Sequence, residues 1–415
     1  MTVDVDVLVV GAGPAGSAAA RRLAEHGHRV AVVERRPLPR PKACGDSLTP
    51  TSVRALVELG IELDDAHRID GVVLSDGERQ RAIDWAPLSG SPAVGRAVRR
   101  EALDELLARH AVSAGAELLE GHEAIEPVVE RGLVRGAVVR TALGQEVTLR
   151  SSYLVVADGA NSTFGRALGT SRARTWPHGT ALRAYWTADN HDAHRHELGL
   201  GIGLGDLGRE SVPGFGWVVP LGDGTVNVGV SVIGSAVADL RAVNTARLLD
   251  AWAARVADRW GLDPQRPQST PAAGRLAVGG SVEPKAGPTF LVVGDAAGTG
   301  SPLLGNGVDT ALTSGLLAAD VVHDALGADG PTALARYPRE LARRHAEFWK
   351  LGRLAVRAMS RPPVARRVAH LATGKGTTAE VLLRLALDER RNDGHGTAEL
   401  LFRAGAALSR FAPDA

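Results

Sequence analysis

Residues 3–34 read VDVDVLVVGAGPAGSAAARRLAEHGHRVAVVE, and the order of patterns in that stretch decides the fold. Val3 to Val10 alternates and then turns wholly apolar, as a strand buried on both faces does. Gly11, Gly13 and Gly16 follow at GxGxxG spacing, with Ala15 between them. An Ala-rich run from Ser17 to His26, closed by Gly27, predicts a helix, and Arg29 to Val33 predicts a second strand ending at Glu34. Gly11 permits the tight turn, Gly13 lets backbone approach a pyrophosphate, and Gly16 lets helix and strand pack closely. The helix N-terminus offers free N–H groups to the anion. Glu34 lies 18 residues beyond Gly16, where a carboxylate accepts ribose hydroxyls and repels a 2′-phosphate. A lone GxGxxG is a weak signal; strand, helix and terminal acid together make this one a dinucleotide site for FAD or NAD rather than NADP.

Outward from this unit, the 415 residues are too many for one ordinary core, so two lobes or one domain with an insertion is expected. Lys plus Arg is 48 against 47 Asp plus Glu, and aromatics are 4%, which argues against nucleic acid as a partner. The single cysteine, Cys44, excludes an intrachain disulfide and fits a reducing compartment. The N-terminus lacks the positive n-region of a signal peptide, so a cytoplasmic location is expected.

Four prolines keep 34–50 irregular; Ser52 to Leu59 and 97–114 predict helices, and 71–85 and 117–158 predict strands, the last running into Asp158-Gly159. Strand-like runs at 180–187, 215–221 and 225–233, with a hairpin turn at Gly222-Asp223-Gly224, predict an inserted antiparallel sheet. Residues 245–260 predict a helix, Phe290 to Val293 a strand meeting Gly294-Asp295, and the chain beyond 336 a helical, basic region.

The fingerprint, Asp158-Gly159 and Gly294-Asp295 are similar in order and spacing to FAD-dependent oxidoreductases of the para-hydroxybenzoate hydroxylase fold. Within that fold the chain resembles the geranylgeranyl reductase family, which includes bacterial menaquinone-chain reductases. The stretches that carry the resemblance are Lys42-Ala43-Cys44-Gly45-Asp46-Ser47-Leu48-Thr49-Pro50, Arg100-Glu101-Ala102-Leu103-Asp104, Pro213-Gly214-Phe215-Gly216-Trp217-Val218-Val219-Pro220 and Gly294-Asp295-Ala296-Ala297-Gly298. It implies an α/β fold: a Rossmann-type FAD-binding lobe (1–70, 97–175 and 270–335), an inserted antiparallel-sheet substrate lobe (71–96 and 176–269) and a helical C-terminus (336–415).

By resemblance, Gly11, Gly13, Ala15, Gly16, Glu34 and Arg35 hold the adenosine half of FAD, and Arg100, Asp158 and Gly159 lie near the pyrophosphate. Gly294 and Asp295 serve the ribitol chain. Pro302, Gly305, Asn306 and Gly307 form a loop under the isoalloxazine, at a helix N-terminus suited to negative charge in the reduced state. Cys44 and Gly45 belong to a loop near the flavin, with Cys44 a candidate gate or proton donor. Phe215, Trp217 and Val219 form an apolar pocket, although the family pattern has Tyr at 215 and Phe at 219. Ser47 stands where close bacterial relatives usually have Gly. Arg183 and Tyr185 are either pocket residues or structural strand residues.

The implied activity is reduction of a C=C bond in an isoprenoid or other apolar substrate, with hydride from transiently bound NADPH or NADH passing by way of FAD. A monooxygenase that hydroxylates or epoxidises a small molecule in secondary metabolism is the alternative. Monomer and homodimer both remain open. The GxGxxG match at 203–208 lacks a following helix and reads as a loop. His191, His194 and His196, beside Asp192 and Glu197, also read as a solvated loop rather than a metal site. The Asn161-Ser162-Thr163 sequon is read as inert in a reducing compartment. Residues 343–367 carry eight cations against Glu347, with Phe348, Trp349, Leu351, Leu354 and Met359 interleaved. Peripheral docking on anionic lipid and a solvated face packed on the flavin lobe are its two readings.

Overall fold

The computed structural model describes residues 2–77, 79–86, 93–172, 176, 178–201, 214–233, 243–388 and 396–409. The opening stretch forms the strand Thr2–Val10, the helix Pro14–Glu25 and the strand Val30–Glu34. The helix starts three residues before the expected Ser17, because Pro14 at its first position already holds a helical φ. Val7 to Val10 are fully or almost fully buried, as a strand covered on both faces requires.

The first sheet runs, in spatial order, Glu117–Glu120, Val30–Glu34, Thr2–Val10, Glu146–Val156, Leu133–Arg140 and Glu123–Glu130, with Phe290–Val292 also pairing with Glu146–Val156. Its pairs are parallel except those made by Leu133–Arg140. On one face the helices Pro14–Glu25 and Val308–Leu326 close a core that includes Val7, Leu23, Val155 and Val321. Gly315 is required there, since a Cβ would lie 2.2 Å from the Ala15 carbonyl oxygen.

The second sheet runs Ala272–Ala277, His178–Thr187, Thr225–Ile233, Gly214–Pro220, Arg195–Leu200, Gly71–Ser75 and Gln80–Asp84. It departs from the sequence expectation twice. Arg195–Leu200 and Gly71–Ser75 pair in parallel, so the sheet is mixed rather than antiparallel. Ala272–Ala277 pairs with His178–Thr187 here, although 270–335 was expected in the FAD-binding lobe. One face packs on the amphipathic helix Thr245–Trp260, with Trp252 against Val218, Val228 and Val230. The other face looks toward the first sheet.

The helix Arg336–Met359 buries Tyr337, Leu341, Phe348 and Trp349 in the first core. The Tyr337 hydroxyl donates to the Val292 carbonyl at 2.8 Å and the Trp349 indole to Thr299 at 3.3 Å. Phe348 and Trp349 are therefore core residues rather than a lipid face, while Arg343, Arg344, Arg357, Arg366 and Arg367 are exposed. Among the described residues, no helix is long and apolar enough to cross a membrane.

Candidate active site

A cavity of about 520 Å³ lies between the two sheets, with the glycine fingerprint at one end and Phe215, Trp217 and Val219 at the other. At the fingerprint end, Gly11 has φ +106°, and a Cβ on it would lie 2.4 Å from the Ala157 carbonyl oxygen. At Gly16 a Cβ would lie 1.9 Å from the Gly11 oxygen, whereas at Gly13 the nearest atom is Arg40 Nη2 at 4.0 Å. The turn is thus closed by two glycines and left open at the third. Among the described residues no side chain caps the helix Pro14–Glu25, so its first N–H groups stay available to an anion.

Glu34 is buried at the end of its strand. Its carboxylate accepts from Ala12 N at 3.1 Å, Arg36 N at 3.2 Å and Arg40 Nη2 at 3.1 Å. Arg40 also donates to Asp104 at 3.0 Å, and Asp104 takes Arg100 Nε and Nη2 at 3.0 and 2.8 Å. The four side chains form an alternating chain of charge along the cavity wall, in which each buried charge has an opposite neighbour. Asp158 accepts from Ser162 Oγ at 2.6 Å and Phe164 N at 2.9 Å, while burial pushes its carboxyl above the usual range. Asp295 lies 3.8 Å from Lys42 Nζ. Among the described residues Asn306 Oδ1, buried in the cavity wall, has no partner, and no described side chain caps the helix Val308–Leu326, which begins at Gly307 beside it.

The loop before Ser47 is held by a buried polar network. Asp46 is 1% exposed and has φ +64°, a left-handed conformation that Asp tolerates better than most residues. Its Oδ1 accepts from Arg100 N at 3.0 Å; its Oδ2 accepts from the Tyr185 hydroxyl at 2.7 Å and Asn227 Nδ2 at 2.6 Å. Asn227 Nδ2 also donates to Cys44 O at 2.8 Å, and its Oδ1 takes the Trp217 indole N–H at 2.9 Å. Burial raises the Asp46 carboxyl above its ordinary range, with the three donors opposing that shift. Cys44 is half-buried on the cavity wall, its Sγ accepting from Asp46 N at 3.4 Å and interacting with the Arg100 side chain.

At the far end, Phe215, Trp217 and Val219 alternate toward the cavity while Val218 points into the opposite core. Trp217 needs two glycines: a Cβ would lie 3.2 Å from its Nε1 at Gly45 and 2.1 Å from its ring at Gly229. Leu198, Leu276 and Leu304 extend this wall, and Leu383 and Leu387 complete it from the helix Thr378–Ala386 and the residue just beyond. Two buried polar side chains share this end: Ser231, opposite Phe215 in the strand register, and His196, whose Nδ1 lies 3.1 Å from Ser47 Oγ and whose ring is 5.7 Å from that of Trp85.

Burial without a counter-charge lowers the His196 pKa from 6.5 to about 4. The folded chain refuses a proton that the unfolded chain accepts, so the site's contribution to stability is complete above pH 6.5 and is lost as the pH falls toward 4. Chemical denaturation at stepped pH should show a loss of roughly 3 kcal/mol from this site across that window, absent in His196→Gln. An equal loss in the variant would assign the acid sensitivity to other groups.

Gly11, Gly13, Ala15, Glu34, Arg35, Cys44, Gly45, Ser47, Arg100, Asp158, Gly159, Asp295, Gly305, Asn306 and Gly307 all line the cavity. Others sit behind it. Gly16 and Gly294 provide close packing, with a Cβ at Gly294 only 2.8 Å from Ala15 Cβ. Pro302 packs under Gly352. Tyr185 and Arg183, expected as pocket residues or as structural ones, take the structural place. Tyr185 lies between the Arg99 and Arg183 guanidinium groups, 4.1 and 4.2 Å from its ring centre, and Arg183 Nη2 donates to Lys42 O at 3.0 Å. Both hold the Lys42–Asp46 loop from outside because that loop lies between their strand and the cavity.

The histidine cluster is corrected too. His196 and Glu197 are buried strand residues rather than loop residues; Glu197 accepts from Ser75 Oγ, Arg259 Nη2 and Trp260 Nε1 at 2.7 to 2.8 Å. Among the described residues, no group of His, Cys, Asp and Glu could hold a metal. Residues 203–208 and Pro213 lie outside the described residues. Asp46, Asn227, His196, Arg40, Leu383 and Leu387 carry parts of the site to which sequence reasoning gave no role.

Two glycines that admit no Cβ, an open third, an uncapped helix start and an acid at the neighbouring strand end fit a dinucleotide with its pyrophosphate at the turn. A family model described as FAD binding domain matches residues 4–198. Fold and site together define an FAD-dependent oxidoreductase.

The chain is 34% identical over 422 residues to the menaquinone reductase of Mycolicibacterium smegmatis, covering 99% of this chain and 98% of that one. It is 30% identical over 326 residues to the digeranylgeranylglycerophospholipid reductase of Methanosarcina mazei, 78% of this chain and 76% of that one. The structure of a geranylgeranyl bacteriochlorophyll reductase-like protein from Thermoplasma acidophilum shares the fold, with a TM-score of 0.75 at 24% identity over 97% of this chain and 96% of that one. The protein belongs to the geranylgeranyl reductase family.

Proposed function

We propose that this enzyme reduces a carbon–carbon double bond in an isoprenoid chain or another apolar substrate, with NADPH or NADH as a transient reductant. The observation that carries this reading is the continuity of one cavity from the glycine fingerprint to a wall of Phe215, Trp217, Val219 and leucines. FAD, when bound, supplies hydride-transfer chemistry. Gly11, Gly13, Glu34 and the start of the helix Pro14–Glu25 would hold its adenosine half, and Asp295, Asn306 and Gly307 its other end. The reductase names of the relatives support the substrate class.

An isolated alkene accepts hydride poorly, so a proton must reach the second carbon nearly in step. Cys44 Sγ stands on the cavity wall for this task, alone or through a water, with its loop fixed by Asp46 and Asn227. His196 is neutral at pH 7 and cannot serve as an imidazolium acid. The apolar wall excludes water and orients the chain. The sequence holds no second helix-backed fingerprint, so the nicotinamide cofactor has no domain of its own in this reading.

FAD-loaded protein given NADPH and a polyprenyl diphosphate or menaquinone without oxygen should oxidise NADPH and yield a product heavier by two hydrogens. NADPH loss that requires oxygen and leaves the chain unreduced would overturn the proposal in favour of a monooxygenase.

A further inference from the structure

At the apolar end of the cavity, His196 and Ser47 form a polar pair that the reduction of an alkene does not use. His196 is 6% exposed and lies on the strand Arg195–Leu200, where it and Leu198 reach the cavity. Its orientation is over-determined. Glu197, pointing to the opposite face, is tied to Ser75, Arg259 and Trp260, so the strand cannot turn over. Ser47 Oγ holds Nδ1 at 3.1 Å, and Trp85 flanks the ring. Among the described residues, Nε2 has no hydrogen-bond partner, and it is not sealed away from open space in the way the orphaned buried atoms are.

A neutral imidazole presents one donor and one acceptor. With Nδ1 committed to Ser47, the ring has one hydrogen bond left to make, at Nε2, and His196 lines the cavity. A buried, uncharged group of this kind suits an uncharged oxygen and gives a diphosphate nothing to neutralise it.

We propose that Ser47 and His196 form a hydrogen-bonding station for an uncharged oxygen on the substrate, a carbonyl or a hydroxyl, so that the enzyme selects a chain bearing a quinone or alcohol oxygen over a bare hydrocarbon. The proposal rests on the reductase reading for the chain itself, while the station is defined by the pocket alone.

The test uses ligands with no double bond in the chain, with the flavin oxidised and no NADPH present: a naphthoquinone with a fully saturated chain, the matching saturated alcohol, and the matching hydrocarbon. Binding to the FAD-loaded protein is read as a change in flavin absorbance at fixed detergent. The quinone or the alcohol should bind at least tenfold more tightly than the hydrocarbon, and whichever binds identifies the oxygen. His196→Phe should erase that preference, and His196→Gln, which keeps a polar atom, should restore part of it. Equal binding of all three ligands, no binding of any, or equal weakening of all three by His196→Phe would overturn the station. Selective binding of the saturated quinone without reduction of its unsaturated counterpart would instead refute the reductase reading and leave the station standing.

Discussion

Gly16→Ala protein should purify colourless and unstable. The new Cβ would lie 1.9 Å from the Gly11 carbonyl oxygen and 3.1 Å from Ala157 Cβ. Neither neighbour can yield. Gly11 N donates to Val33 O and Ala157 N to Val10 O, both at 2.8 Å, which pins the turn to the central strands. The helix Pro14–Glu25 must instead lift off the sheet, losing close packing and moving the N–H groups that face the pyrophosphate. Overpacking of a core typically costs about 1–3 kcal/mol, and a clash with fixed backbone belongs at or beyond the upper end. Gly13→Ala is the control. Its Cβ meets only the end of Arg40 at 4.0 Å, so it should fold with stability within about 1 kcal/mol of the parent yet hold FAD more weakly. Flavin content after gel filtration and a urea unfolding curve for each variant decide the matter. A yellow Gly16→Ala protein of unchanged stability would contradict the packing described for this turn.

Asp46→Ala should be the most damaging single change at the substrate side of the cavity. It removes the acceptor for Arg100 N, the Tyr185 hydroxyl and Asn227 Nδ2 at once, all of them buried. Stranding three buried donors is expected to cost about 3–5 kcal/mol. Alanine also tolerates φ +64° less well than aspartate does. Tyr185→Phe, which removes one donor and leaves the acceptor in place, should cost only about 1 kcal/mol. Turnover should fall in Asp46→Ala beyond what unfolding explains, because Asn227 then holds Cys44 and Trp217 without its own anchor. Urea midpoints at constant slope, with kcat measured well below the transition, separate the two effects. Equal losses in Asp46→Ala and Tyr185→Phe would show that the network is not cooperative.

The fingerprint unit was legible because glycine spacing, apolar runs and a terminal acid all report on one short segment. The strands Gly214–Pro220 and Thr225–Ile233 were legible for the same local reason. What escaped depends on partners distant in the chain. Arg195–Leu200 reads as a polar loop because His196 and Glu197 look solvated until Ser47, Ser75 and Arg259 are brought to them. Asn227 left a trace, as the amide in the apolar run TVNVGVSVI, but nothing local said that it would meet Asp46 and Trp217. Tyr185 does point to the cavity side of its sheet; only the intervening loop, which sequence cannot position, removes it from the wall. The leucines of Thr378–Ala386 show a helical apolar face without saying what it covers.

That last face has a consequence for how the site can be altered. The fingerprint that binds the nucleotide and the leucines that finish the pocket sit at opposite ends of the chain. Mutations that reshape the pocket through Leu383 and Leu387 leave the nucleotide turn untouched, and changes in the turn leave the leucines alone. The C-terminal leucines are therefore a place where the shape of the pocket can be altered without rebuilding the nucleotide turn.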